Sequence, residues 1–325
     1  GQVSLGDIAL VFQSAEQSRF ALDEFFSTFG YLIENGIYLE NYFAFLDQDP
    51  EKTEGALVQI RQAHGDVSVP NQEPVTIEFD HVSFGYPGAE QPVLHDVSFT
   101  IERGQSVALV GENGAGKTTI VKLLARLYDP TGGQILVNGK DLRTYDPEEY
   151  YNCLGVIMQD FVRYDLPVRE NIGLGNIDAI DDLARIRQAS EKGGALSLVE
   201  QFPQAFDTVL GKRFEGGVDL SGGEWQKIAL SRAFMRDASL LILDEPTAAL
   251  DAYAENQVFE RFAELTRGKT TVFVTHRLSS VTTAQKILVI QKGRLVEMGT
   301  HKELMQQNAE YARMFTLQAE RYQQE

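Results

Sequence analysis

GENGAGKTT, Gly111–Thr119, is the stretch from which the rest of the chain can be read. The almost wholly apolar QSVALVG, 105–111, leads into it, and TTIVKLLARLY, 118–128, leads out. The first suits a strand buried on both faces. The second sets Ile120, Leu123, Leu124 and Leu127 on one helical face. A strand, a glycine-rich turn and a helix in that order, with the spacing G-x-x-x-x-G-K-[ST], describe a loop that wraps a chain of phosphates. Gly111, Gly114 and Gly116 allow the backbone to turn its N–H groups inward. Lys117 can then reach the β- and γ-phosphates, and the Thr118 hydroxyl can bind Mg²⁺.

Outward from the loop, SLLILDEPTAALD, 239–251, carries a second part of the same chemistry. Four apolar residues deliver Asp244 and Glu245 to the C-terminal end of a buried strand, where doubly wound sheets hold ligands. Asp244 suits the Mg²⁺ shell. Glu245 suits polarising an attacking water, because phosphoryl transfer rests on positioning and charge. Further strands are predicted at VTIEFDHVSF, CLGVIM, TTVFVTH and KILVI, and a helical insert from about 165 to 225. In that insert DLSGGEWQ, Asp219–Gln226, places Ser221, Gly222 and Gly223 before a helix. A helix N-terminus with bare N–H groups also suits a phosphate. One domain thus carries two phosphate-binding helix starts.

Composition narrows the function. The 325 residues hold 29 Lys and Arg against 47 Asp and Glu, a net charge of −18. Such a chain repels nucleic-acid phosphates, and no nucleic-acid partner is expected. Cys153 is the only cysteine, so there is no disulfide within the chain, and its apolar surroundings read as a small buried hydrophobe. No His or Cys cluster suggests a structural metal. Residues 1–48 read as an aromatic-rich helix, 49–74 as a Pro- and Gly-containing linker and 75–325 as the α/β domain. The tail places Leu304, Tyr311, Phe315 and Tyr322 on one helical stripe, expected to pack or to meet another subunit. No run of about 20 apolar residues is present for a membrane span. The start at Gly1, without Met or leader, reads as a fragment of a longer chain.

From about residue 75 to the end, the order of motifs resembles the ATP-binding-cassette ATPases. That resemblance implies a P-loop NTPase with a RecA-like core, an antiparallel β subdomain and an α-helical subdomain. It gives the loop residues Gly111, Glu112, Asn113, Gly114, Ala115, Gly116, Lys117, Thr118 and Thr119 to ATP. Tyr86 in FGYPG is similar to the aromatic that stacks on adenine. Gln159 in VIMQD resembles the glutamine that joins the Mg²⁺ shell and moves with the transport domain. His276 in VTHR resembles the histidine on the γ-phosphate, and Asp251 in AALD the residue that crosses to a partner. LSGGEWQ resembles the family signature, with Glu224 where glutamine is usual; Ala248 stands where the loop before Asp251 usually begins with serine. Neither removes a phosphate-facing backbone group.

The same resemblance answers why there are two phosphate sites. In the family two cassettes pair head to tail, so Ser221, Gly222 and Gly223 would hold the γ-phosphate of the ATP on the second subunit. Residues 1–48, running through NYFAFLDQDPE, resemble the last transmembrane stretch of exporter-type half-transporters. They imply a transmembrane domain and a lipid membrane reached through upstream helices. The expected setting is the plasma (inner) membrane, with the cassette on the cytoplasmic side. The expected activity is ATP-driven export, catalysed with Glu245, His276, Lys117 and Gln159. Two alternatives fit the sequence less well. A soluble cassette for nucleic-acid repair or translation would need basic surface, and an importer's separate subunit would not need residues 1–48.

Overall fold

The computed structural model describes residues 5–47, 73–213, 216–245, 268–275 and 281–324. The chain divides into two compact units, 1–53 and 54–325. In the first, one helix, α1 (Leu5–Leu46), runs for 42 residues, about 63 Å at 1.5 Å per residue. Its large apolar side chains, among them Leu10, Phe12, Phe20, Phe26, Tyr31 and Tyr42, are all more than half exposed. Phe25 and Phe29, one turn apart, stack at 6.3 Å. Asp7, Glu16, Arg19, Asp23, Glu24, Glu34 and Glu40 interrupt its apolar runs. Among the described residues no helix is long and apolar enough to cross a membrane.

The second unit is built on two sheets. The larger has the order β10-β9-β3-β8-β7-β6. Its strands are β3 (Ser106–Val110), β6 (Leu154–Ile157), β7 (Leu240–Asp244), β8 (Thr270–Val274), β9 (Lys286–Gln291) and β10 (Arg294–Gly299). All pair in parallel except β10, which lies antiparallel on β9. Every residue of β7 and β8 is buried, as central parallel strands covered on both faces require. The two-residue alternation of strands then sends neighbours to opposite cores. Leu240 and Ile242 join one cluster, together with Val107, Leu109, Leu288 and Ile290. Leu241 and Leu243 join the other, together with Ala108, Ile287 and Val289.

On the first face lie α2 (Lys117–Leu124) and a four-stranded antiparallel sheet of order β2-β1-β4-β5. Its strands are β1 (Ile77–Phe84), β2 (Leu94–Ile101), β4 (Gly132–Val137) and β5 (Lys140–Asp141). On the second face lie the end of α7 (Gly222–Ala233) and two C-terminal helices, α8 (His301–Gln307) and α9 (Glu310–Gln324). A short helix α3 (Pro147–Asn152) precedes β6. A separate helical layer follows it: α4 (Val168–Gly173), α5 (Leu183–Gly193), α6 (Leu196–Val199) and α7. It has its own core of Val168, Ile172, Ile186, Val199, Trp225, Ile228 and Met235. The two sheets and the helical layer make a mixed α/β P-loop fold.

Three local readings change. The helix after the glycine loop ends at Leu124; Arg126 takes a left-handed φ of 50°, and Leu127 is turned out to 49% exposure instead of joining Ile120, Leu123 and Leu124. The C-terminal stripe belongs to two helices, because Asn308 at φ 50° closes α8 before α9 begins. Leu304 and Tyr311 are fully buried and Phe315 packs beside them; the side chain of Tyr322 lies outside the described residues. Finally, α7 extends to Ala233, beyond the 225 read as the end of the helical insert. Most of the segment read as a linker, 49–74, lies outside the described residues, which resume at residue 73.

Candidate functional site

The glycine loop joins the end of β3 to α2 and takes its shape from its neighbours. Gly111 (φ 151°) passes so close to the Ile290 carbonyl that an added Cβ would sit 2.1 Å from its oxygen. At Gly116 (φ 108°) a Cβ would press on Leu94 at 2.6 Å. Gly111 therefore needs glycine for space as well as for backbone angle, whereas at Gly116 the backbone angle is the firmer demand. Gly114 (φ 77°) has nothing within 4 Å of such a Cβ and needs glycine for the angle alone. The loop is pinned to β9 and β10 by the Gly293 N–H donating to the Ala115 carbonyl at 3.0 Å. Gly116 caps α2 without a side chain, so the first-turn N–H groups have no side-chain acceptor there. That arrangement suits an anion, which the helix dipole also favours.

Lys117 opens α2 and is buried at 5% exposure. Its Nζ donates to the carbonyls of Gly111 at 2.8 Å and Glu112 at 2.9 Å, so the ammonium lies across the mouth of the loop. Burial pushes its pKa below the ordinary lysine value, against the pull of the Glu245 and Asp244 carboxylates. An ammonium buried in this way is poorly solvated, a cost that an anion beside it offsets. Thr118 is half-buried beside it, and Thr119 is buried.

Asp244 ends β7, buried to 1%, and Glu245 follows it in the left-handed region at φ 50°. The Glu245 N–H donates to the Val274 carbonyl at 3.0 Å, which holds this uncommon backbone. Gln159, two residues beyond β6, donates from Nε2 to Glu245 Oε2 at 2.9 Å. Parallel neighbours β6 and β7 bring these two residues together across 86 positions of sequence. Lys117, Gln159, Asp244 and Glu245 therefore converge at the C-terminal edge of the large sheet. Among the described residues no three His, Cys, Asp or Glu side chains form a metal cage. The donors present, a threonine, a glutamine and a carboxylate, fit Mg²⁺ taken up together with substrate phosphates.

Tyr86 follows β1. Its hydroxyl lies 3.2 Å from Thr119 Oγ1, its ring meets Phe84 and Tyr128 edge-on at 5.0 and 5.3 Å, and Lys122 Nζ lies 5.4 Å over its face. The aromatic is thereby tied to the same helix that carries Lys117. The support from Phe84 and Tyr128 is not legible in the sequence, because aromatic contacts between a strand and a helix end leave no local pattern.

The second helix start is built differently. Ser221 is the N-cap of α7: its Oγ accepts from the Glu224 N–H at 3.3 Å, and Glu224 Oε2 accepts from the Ser221 N–H at 2.8 Å. This capping box explains the glutamate at that position, and S-x-x-E was its readable signal. A hydroxyl can accept in the cap and still donate its own proton. Gly222 and Gly223 begin the helix, which packs on α5 and α4 in the helical layer, whereas the lysine loop belongs to the large sheet. Asp251, Ala248 and His276 lie outside the described residues.

A cavity of about 360 Å³ opens beside this machinery, lined by Leu127, Tyr151, Val156, Met158, Arg232 and Arg236 among others. Met158 immediately precedes Gln159.

Residues 94–248 match the family described as "ABC transporter". The subtilin transport ATP-binding protein SpaT of Bacillus subtilis is 35% identical over 315 residues, 97% of this chain and 50% of that protein. An ATP-dependent lipid A-core flippase of Sodalis glossinidius is 40% identical over 279 residues, 86% of this chain and 45% of its own. The chain therefore spans about half the length of these curated relatives. A solved structure, that of a bacterial Atm1-family ABC exporter with ATP bound, superposes with a TM-score of 0.77 at 30% identity. It covers 98% of this chain and 53% of the other. Because α1 alone is 42 of the 325 residues, that coverage includes it.

Proposed function

The chain belongs to the ATP-binding-cassette ATPases of the exporter type, and we propose that it binds and hydrolyses Mg-ATP to drive export of a substrate across a membrane. The observation that carries the site assignment is the Gln159–Glu245 contact at 2.9 Å beside a buried Lys117, facing a loop shaped by three glycines. In this reading Lys117 and the loop N–H groups hold the β- and γ-phosphates. Thr118, Asp244 and Gln159 would hold Mg²⁺, which neutralises charge on the phosphates when bound. Glu245 orients and deprotonates the attacking water, and His276 contacts the γ-phosphate. Tyr86 receives the adenine.

Two such cassettes pair head to tail. Ser221, Gly222 and Gly223 of one then face the γ-phosphate held by the lysine loop of the other, and Asp251 crosses the same interface. A γ-phosphate that satisfies donors from both sides favours closure, and its loss on hydrolysis favours opening. The partner is a second cassette subunit, and α1 leads from a transmembrane domain seated in the plasma (inner) membrane with the cassette on the cytoplasmic side. The cavity next to Met158 supports a mechanical link, since an element pressed into it bears on the strand end that carries Gln159. The exposed apolar side chains of α1 support its place among further helices.

The test is Glu245→Gln with saturating Mg-ATP. The amide keeps the contact with Gln159 but is no base, so the variant should bind ATP, hydrolyse it at least about a hundredfold more slowly and accumulate as a dimer by light scattering. A variant that hydrolyses ATP at the parental rate, or that stays monomeric at high protein concentration in detergent, overturns the reading.

A further inference from the structure

From Gln159 the chain runs through Asp160–Pro167 to α4 with its carbonyls held by two side chains. Asn171, fully buried on α4, donates from Nδ2 to the carbonyls of Tyr164 and Leu166, both at 2.9 Å. Arg232, in the last turn of α7, donates from Nη1 to the Val162 carbonyl at 3.1 Å. The same guanidinium donates from Nε to the Asn171 carbonyl at 2.8 Å and from Nη2 to Asn171 Oδ1 at 3.3 Å. Its carbon lies 4.9 Å over the Tyr164 ring. Alternate carbonyls at 162, 164 and 166 are thereby fastened, directly or through Asn171, to one arginine. Only a planar fork with several fixed donors makes this set of bonds, and a lysine ammonium cannot.

The position of that arginine gives the brace its meaning. α7 is a single helix of 12 residues, about 18 Å long, with Ser221 at its start and Arg232 near its end. Contact between α7 and α4 is close as well: at Gly175, just past α4, a Cβ would lie 1.9 Å from the Arg232 carbonyl oxygen. A displacement of the Ser221 end moves the Arg232 end with it, and the braced loop must follow. At the other end of that loop, Gln159 holds Glu245.

We propose that Arg232 is a positioning residue for hydrolysis: it transmits the orientation of the helix headed by Ser221 to Gln159, and through Gln159 sets the Glu245 carboxylate. The inference rests on the reading of Ser221 and Glu245 given above and adds a residue that touches neither nucleotide nor water. It couples engagement of the signature in one subunit to readiness of the same subunit's own glutamate. Cross-talk between the two sites of a dimer then has a material path within each chain.

The test is Arg232→Lys in the full 325-residue chain in detergent, with ATPase rate and nucleotide affinity measured separately. The expected result is a fall in kcat of about tenfold with Kd for Mg-ATP within about twofold, because the phosphate loop is untouched. In a Gln159→Ala background the same substitution should cause no further loss, since the path it feeds is already cut. A merely structural arginine gives the opposite pattern, with kcat and Kd worsening together or a full additional loss on Gln159→Ala; either result overturns the proposal, as does a kcat within twofold of the parent. Should Arg232→Lys fail to fold, Tyr164→Leu removes only the ring under the guanidinium and should show the same split at about threefold. An inactive parent chain, or Glu245→Gln that fails to dimerise, counts against the transporter reading and not against the brace.

Discussion

At the scale of single residues, the proposed phosphate loop sets stability against binding. Lys117 has its pKa lowered from 10.5, chiefly by burial, so its charged form is less favourable in the folded chain than in the unfolded one. The resulting destabilisation is present below the folded pKa and is relieved as pH rises through it towards 10.5. Lys117→Met, of similar length and apolar, should therefore leave the Tm in the absence of nucleotide equal or higher, while abolishing the rise in Tm that Mg-ATP gives the parent. A Tm that falls without nucleotide would mean that the bonds to Gly111 and Glu112 outweigh the burial. Cys153 makes a second case. Buried at 1% and donating from Sγ to the Tyr150 carbonyl, it has its pKa pushed up by burial to about 12. At pH 8 roughly one molecule in ten thousand carries the thiolate, so the native chain should resist a thiol reagent that labels it at once in urea. Rapid labelling without denaturant would show that the site opens. Both residues were readable from sequence, one from a fixed spacing and the other from apolar neighbours. The Gln159–Glu245 bond was not, because contact across 86 residues depends on which strands become neighbours.

At the scale of elements, the start of α7 has an observed role as a cap and a proposed role at an interface. Ser221 must satisfy its own helix before it can meet anything else, and the capping box with Glu224 does so within the subunit. Ser221→Ala should cost about 1 kcal/mol in urea denaturation through the lost cap. It should also weaken nucleotide-driven dimerisation of the Glu245→Gln variant, since the hydroxyl is lost from the proposed interface. Glu224→Gln keeps an acceptor at the same distance and should stay within about 0.5 kcal/mol of the parent with dimerisation intact. If Ser221→Ala loses stability but dimerises as before, the serine is a cap only. The strands around the site were readable where burial on both faces makes a continuous apolar run, as in β3, β7, β8 and β9. β2, β4 and β10 escaped because they lie in the small sheet or at an edge, where polar residues interrupt the run. The early end of α2 escaped for another reason. Arg126 leaves the helix with its guanidinium donating to the carbonyls of Tyr145 at 2.6 Å and Arg143 at 3.2 Å, a tertiary demand that overrides the helical pattern through Leu127.

At the scale of the whole molecule, the two units differ in how they treat apolar surface. Unit 54–325 buries three clusters of its own, on the two faces of the large sheet and inside the helical layer, and so has what a domain needs to fold alone. α1 does the reverse: from Leu5 at 88% exposure to Phe45 at 68%, its leucines and aromatics are open along the whole helix. A soluble monomer rarely carries so large a contiguous apolar surface without a partner or lipid to cover it. The six acidic side chains and one arginine spaced along α1 keep it from reading as a simple span, and make it suited to a place among other helices. From this contrast, a chain cut to residues 73–325 should elute as a monodisperse species without detergent, while the full chain should need detergent or self-associate. Because Tyr86, Lys117, Gln159, Asp244 and Glu245 all lie in the retained part, Mg-ATP affinity should agree between the two within about twofold. If the shorter chain aggregates or loses nucleotide, the cassette draws stability from the preceding segment. If both chains behave alike in plain buffer, α1 covers its own apolar surface, and its reading as a membrane-domain helix loses its physical basis.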